Sequence, residues 1–156
     1  VVLGAGPGLV GRIPQRVRES EGLAYVSQVA TVAGAGRTAG RMAIYIGTAA
    51  GNVERARSAV IEELERFVAE GVSDHELDMA KRYLLGSAPF RRETAAQVAA
   101  LQAQACFYGE PYDRESWLAE RIHEVDGARL DEVVRRHLDP VRASTTVGLP
   151  RAALAG

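Results

Sequence analysis

Four glycines near the start of the chain, Gly4, Gly6, Gly8 and Gly11, include the pattern Gly6-x-Gly8-x-x-Gly11. Glycines at that spacing let a backbone turn tightly and bring the N–H groups of a helix N-terminus up to a pyrophosphate. A dinucleotide site also needs an apolar helix face, a second parallel strand, and an acidic residue about 20 positions on for the ribose hydroxyl. Here the segment after Gly11 contains Pro14 and is mostly polar, the next strand turns back through a short loop, and no Asp or Glu stands between Glu21 and Glu54. The glycines read instead as a turn where backbone packs closely.

Zinc held on a helix needs two imidazoles about one turn apart. The histidines are His75, His123 and His137, and none has another at that distance. They read as partly exposed helix residues. Glu62, Glu63 and Glu70 read as a solvated helix face. Cys106 is the single cysteine, so no disulfide closes within the chain, and beside Phe107 on an apolar stretch it reads as a small core residue rather than a nucleophile.

These residues sit in a chain of 156, with 47% hydrophobic and 25% charged residues. That is enough apolar material for one globular domain over 1–156, and too much for a disordered chain. Lys plus Arg number 19 against 20 for Asp plus Glu, so there is no basic field to meet a phosphate backbone, and nucleic acid is not an expected partner. No run approaches the roughly 18 apolar residues of a membrane span, and no targeting segment is recognisable. A soluble chain is expected, with cytoplasm and periplasm both open.

The elements that must position these residues follow from periodicity. Ile13 and Val17, four apart, predict a short helix over Arg12–Ser20, stopped at Gly22. Leu23–Ala33 and Met42–Ile46, joined by the Gly-rich stretch Gly34–Gly40, predict an antiparallel hairpin. Asn52 is placed to cap a helix whose apolar residues Val53, Ala56, Val60, Leu64 and Phe67 form one stripe, ending at Gly71. Ser73 with Glu76 is a capping box for a helix running to Pro89, and another helix is expected near Thr94–Phe107. Asp113 and Asp126 open two more, with Pro140 ending the last. Thr145–Leu149 is expected as a final strand returning to the hairpin's sheet. The fold class is α+β, an antiparallel sheet packed against several helices.

Leu3-Gly4-Ala5-Gly6, Gly11-Arg12-Ile13, Val17-Arg18-Glu19 and Gly22-Leu23-Ala24-Tyr25 together resemble the signature of the C-terminal half-repeats of the pitrilysin/insulinase (inverzincin) zinc metallopeptidases. Gly47-Thr48, Glu62-Glu63-Leu64, Gly71 to Leu77 with Ala80-Lys81, the Val125–Leu138 helix and Val147-Gly148-Leu149-Pro150 follow in the same order. The resemblance spans nearly the whole chain and is most specific over Arg18 to Tyr25. Gly11 stands where the family often has Ser, Pro14 where it has a bulky apolar residue, and Glu21 where it often has a basic one.

The resemblance implies a fold similar to the mitochondrial-processing-peptidase-like metallohydrolase half-domain, here truncated at its N-terminus, since complete half-repeats carry a further strand and helix before the Gly-rich turn. A missing strand would leave a sheet edge open to self-association. The family's HxxEH motif, two histidines on zinc and a glutamate that polarises water, is absent. The chain would therefore hold no metal. It would be the non-catalytic half that closes over a peptide substrate, with the zinc on an HxxEH-bearing half in the same polypeptide or a partner chain. The resemblance places the two substrate-binding side chains on Arg18 and Tyr25. A guanidinium offers a planar fork to a peptide carbonyl or carboxylate, and a phenol can donate to a developing oxyanion. The alternatives for these residues are a surface pair of Arg18 with Glu19 or Glu21 and a Tyr25 packed in the sheet. For the whole chain the alternative is a scaffold of the same fold with no proteolytic role.

Overall fold

The computed structural model describes residues 1–4, 11–33, 36 and 39–149. Their order is α1 (Arg12–Pro14), a π-helix (Gln15–Ser20), β1 (Ala24–Ala33), β2 (Arg41–Thr48), α2 (Val53–Glu70), α3 (Asp74–Ser87), α4 (Ala95–Tyr108), α5 (Arg114–Glu124) and α6 (Gly127–His137). Short 3-10 turns at Ala50–Asn52, Pro89–Arg92 and Pro140–Arg142 join them. The class is α+β, with one two-stranded antiparallel sheet among the described residues.

The chain divides into two compact units, residues 1–72 with 131–156, and residues 73–130. In the first unit, Val29 of β1 is buried, and Met42, Ile44 and Ile46 of β2 pack against the same cluster. The alternation of the strands sends Val26, Gln28 and Tyr45 to the other face, where all three are exposed. The core is completed by Leu3, Ile13, Val17 and Leu23, and by Ala56, Ala59, Val60, Leu64 and Phe67 on one stripe of α2. Ile13 and Val17 are fully buried, as their spacing requires.

Gly71 ends α2 with a φ of +74°, a conformation that favours glycine. Its N–H returns to the Phe67 carbonyl at 3.1 Å, and the next amide, Val72, donates to Asp131 Oδ1 at 3.1 Å. A side chain at Gly71 would meet that carboxylate, with Asp131 Oδ1 only 2.7 Å from the added carbon.

The second unit is helical. Ser73 and Glu76 form the capping box expected for α3, and Thr94 with Gln97 forms a second one on α4. Asp113 caps α5 through the Ser116 amide, and Asp126 accepts from the Arg129 amide at 2.7 Å. Lys81 Nζ donates to the His123 carbonyl at 2.9 Å.

Two expectations fail. Asn52 makes no side-chain cap, because the 3-10 turn at Ala50–Asn52 already winds the chain into α2. Thr145–Leu149 is not a strand: these residues are exposed and join no ladder, and β propensity alone does not bring a segment onto a sheet edge. Gly6 and Gly8 of the glycine pattern, and much of the Gly34–Gly40 turn, lie outside the described residues.

Candidate functional site

The segment from Arg12 to Ser20 is wound in two ways. It starts as a single α turn, with Gln15 N–H donating to Gly11 O at 3.1 Å, and then widens to the i→i+5 pattern of a π-helix over Gln15–Ser20. Gly11 has a φ of +133°, and a side chain there would run into the backbone of Leu3 and Gly4. The glycine where the family often has serine is thus required by a close crossing of two backbone segments. Pro14, at the departure from a bulky apolar residue, is itself buried against Gly4.

Three arginines leave this segment in different directions. Arg12 lies over the Phe67 ring, 5.0 Å from its centroid, and donates to Gly71 O at 2.9 Å. Arg16 Nε is 2.6 Å from Glu21 Oε1, and Arg16 Nη2 donates to Glu62 Oε2 at 2.9 Å. Arg18 points to the hairpin, with its guanidinium carbon 5.6 Å from the centroid of the Tyr25 ring. Glu21, one of the two alternative partners of Arg18, pairs instead with Arg16 and, at 3.6 Å, with Arg55.

Tyr25 does not pack in the sheet; it is 83% exposed. The register explains this. Ala24 pairs with Thr48 and Val26 with Gly47, so two steps on β1 match one on β2, and Tyr25 is the extra residue of a β-bulge. A bulge breaks the strict alternation of side chains and re-aims one of them. Thr48 Oγ1 donates to Leu23 O at 2.6 Å just before it and anchors the start of β1. Both residues of the pair therefore stand on one-residue irregularities, a π-turn and a bulge. The result is a guanidinium against the face of an exposed phenol, a contact worth about 0.5–1 kcal/mol at such a surface. Both groups keep donors that a carbonyl or an oxyanion could take.

The other candidates disperse. His75, His123 and His137 are exposed on α3, α5 and α6, and among the described residues no group of three or more His, Cys, Asp or Glu side chains could hold a metal ion. The residues present do not fit a zinc site. Cys106 is exposed rather than in the core, because it is Ala105 that α4 turns inward. Glu63 is 2% exposed, not part of a solvated face, and its carboxylate pairs with Arg66 while Oε1 is buried without a hydrogen-bond partner. That burial was open to inference, since Glu63 is four residues from both Ala59 and Phe67 on the inward stripe. Sequence reading also missed the charged concavity of about 350 Å³ beside α2, lined by Arg16, Glu21, Arg55, Ser58 and Glu62 among others. No helix among the described residues is long and apolar enough to cross a membrane.

Comparison with known proteins bears on this geometry. Residues 2–84, more than half of the chain, match the family model described as the peptidase M16 inactive domain. The "Non-peptidase homolog YmxG" of Helicobacter pylori is 27% identical over 138 residues, 88% of this chain and 31% of that protein. The crystal structure of a peptidase M16 inactive domain from Pseudomonas fluorescens has the same fold, with a TM-score of 0.77 at 24% identity, covering 89% of this chain and 32% of that one. The chain thus spans about a third of the length of each relative.

Proposed function

The chain belongs to the family of peptidase M16 inactive domains, and from that premise we propose that it is the substrate-holding, non-catalytic half of a zinc-dependent metalloendopeptidase. The zinc and the HxxEH motif reside on a catalytic half, in the same polypeptide or in a partner chain, and this chain closes over the peptide held there. Arg18 donates to a backbone carbonyl or carboxylate of the peptide, and the Tyr25 phenol donates to the oxyanion that develops on the scissile carbonyl. The observation that carries the reading is the meeting of Arg18 with an outward-turned Tyr25, 5.6 Å from guanidinium carbon to ring centroid. The hairpin leaves an unpaired edge on each of its two strands among the described residues. Pairing through such an edge, with a second copy or with the catalytic half, is part of the same proposal.

A second reading, a scaffold without proteolytic role, is favoured by the name of the Helicobacter pylori relative, a non-peptidase homologue. Kinetics separate the two. In the enzyme assembled with its catalytic half, Arg18→Ala and Tyr25→Phe are each expected to lower kcat roughly a hundredfold, about 3 kcal/mol of transition-state stabilisation. Arg18→Lys should recover only part, because an ammonium lacks the planar fork. A pair of purely surface value would shift the melting temperature slightly and leave turnover alone. Turnover close to that of the unaltered enzyme in both variants would overturn the role given to the pair and favour the scaffold.

A further inference from the structure

We propose that Arg16 is a positioning residue for the Arg18–Tyr25 pair: by bridging Glu21 and Glu62 it fixes the turn that carries Arg18 over the tyrosine ring. The proposal rests on the reading of that pair as the substrate-holding site.

The pair does not organise itself. One exposed contact between a guanidinium and a ring is too weak to order two long side chains on two elements. The order must come from the backbone on either side. On the strand side it does, through the β1–β2 ladder and the Thr48–Leu23 bond. On the helical side Arg18 is near the end of a π-turn, a winding with poorer hydrogen bonds than an α-helix and one that needs outside support. Gly22 N–H donates to Arg18 O at 3.1 Å and Leu23 N–H to Val17 O at 2.8 Å, so the connection between Arg18 and Tyr25 is folded back on the turn.

Glu21 lies within that connection, and it is gripped from two directions. Arg16 Nε stands 2.6 Å from one of its oxygens, and Arg55 of α2 stands 3.6 Å from the other. The same Arg16 extends Nη2 to Glu62 of α2 at 2.9 Å. Arg16 thus ties the turn to the long helix beneath by a hydrogen bond and to the connection after it by charge and proximity, since its buried Nε makes no hydrogen bond despite the short approach to Glu21. Arg16 and Glu21 are both partly shielded from solvent, which weakens the screening of their pairing without removing it. Arg16 meets Glu21 and Glu62, while the Tyr25 ring is met by Arg18. Its effect is through the backbone.

Side-chain NMR of the full chain tests this directly. The Arg18 δ-methylene protons should be shifted upfield by the ring current of Tyr25, and Tyr25→Leu identifies that shift by abolishing it. Arg16→Ala is expected to remove most of the shift while the amide resonances of Val29 and Ile44 in the hairpin stay in place, and Arg16→Lys should restore only a small part, since one compact ammonium does not reproduce the separated Nε and Nη2 positions of the guanidinium. Should Arg16→Ala fail to fold, Glu62→Ala takes its place, because it removes the acceptor of one arm of the bridge at a mostly exposed carboxylate. An Arg18 shift unchanged in the folded variants overturns the proposal. In the assembled enzyme Arg16→Ala should lower kcat by roughly tenfold, between the unaltered enzyme and Arg18→Ala. If Arg18→Ala leaves turnover untouched, the substrate-holding reading fails, while the NMR shift still decides whether Arg16 positions Arg18.

Discussion

The two units of the chain are stabilised by different means. Every buried apolar side chain among the described residues except Ala105 lies in the unit formed by residues 1–72 and 131–156. Residues 73–130 have half-buried leucines, and Phe90, Phe107 and Tyr112 stand exposed. In place of a core this second unit has ends that are well tied: two capping boxes, the Asp113 and Asp126 caps, the Lys81–His123 bond, and ion pairs such as Arg92–Glu115 at 3.4 Å. Local hydrogen bonds fix where helices begin, but each contributes only about 1 kcal/mol, on the order of a hundredth of what burial supplies across a well-filled domain. The candidate site sits on the first unit, where its two irregular supports rest on fully buried Ile13 and Val17. A strained turn persists where neighbouring packing determines it.

This contrast should be easiest to break at Phe67, buried in the first unit beneath Arg12. Phe67→Ala is expected to cost about 3–5 kcal/mol of unfolding free energy. Leu84→Ala on half-buried α3 should cost less than about half of that, because less apolar area leaves water there. Denaturant unfolding of both variants measures the difference, and equal losses would show that the second unit is as tightly packed as the first. A smaller effect sharpens the comparison at the caps. Ser73→Ala and Thr94→Ala are each expected to cost about 1 kcal/mol, with faster amide exchange at Glu76 and Gln97, whose N–H groups lose their acceptors. Exchange in β1 and β2 should not change.

The smallest effect concerns pH. Hydrogen bonds from the Ser116 side chain and then from its amide, with help from Arg92, hold the Asp113 carboxyl below its ordinary range against a small opposing desolvation. A depressed carboxyl contributes stability above its unfolded value and loses it as pH falls through the folded one. The start of α5 should therefore fray on acidification only below the ordinary aspartate range, seen as a titration of the Ser116 amide resonance. Asp113→Asn should keep the cap and abolish that titration. A midpoint at the ordinary value would mean that the Ser116 bonds are not made in solution.

Most of the fold was legible in the sequence, for physical reasons that differ by element. The α2 stripe, the hairpin and the capping boxes are periodic or follow from one residue's hydrogen-bonding habit, so they could be placed to within a residue or two. Thr145–Leu149 could not, because a strand is defined by its neighbour and the local composition is silent about one. Cys106 was misplaced because small residues occupy both faces of α4 and its apolar composition does not say which face turns inward, whereas Glu63 was misplaced because its charge was weighed above its position on the inward stripe of α2. Arg18 and Tyr25 were reached through the resemblance. Their meeting depends on a π-turn and a bulge that no spacing rule announces.

Those two irregularities make the site a matter of arithmetic as well as chemistry. Each consists of a surplus residue inside a regular element, so a one-codon deletion between Arg12 and Ser20 would let the turn relax to an ordinary α-helix. Side chains after the turn would keep nearly their present directions, while those within it, Arg18 among them, would be re-aimed by part of a turn. Arg18 would keep its identity and lose its address. When this stretch is aligned between relatives, a gap inside the helix or inside β1 deserves the same weight as a changed residue, because either one separates the guanidinium from the phenol.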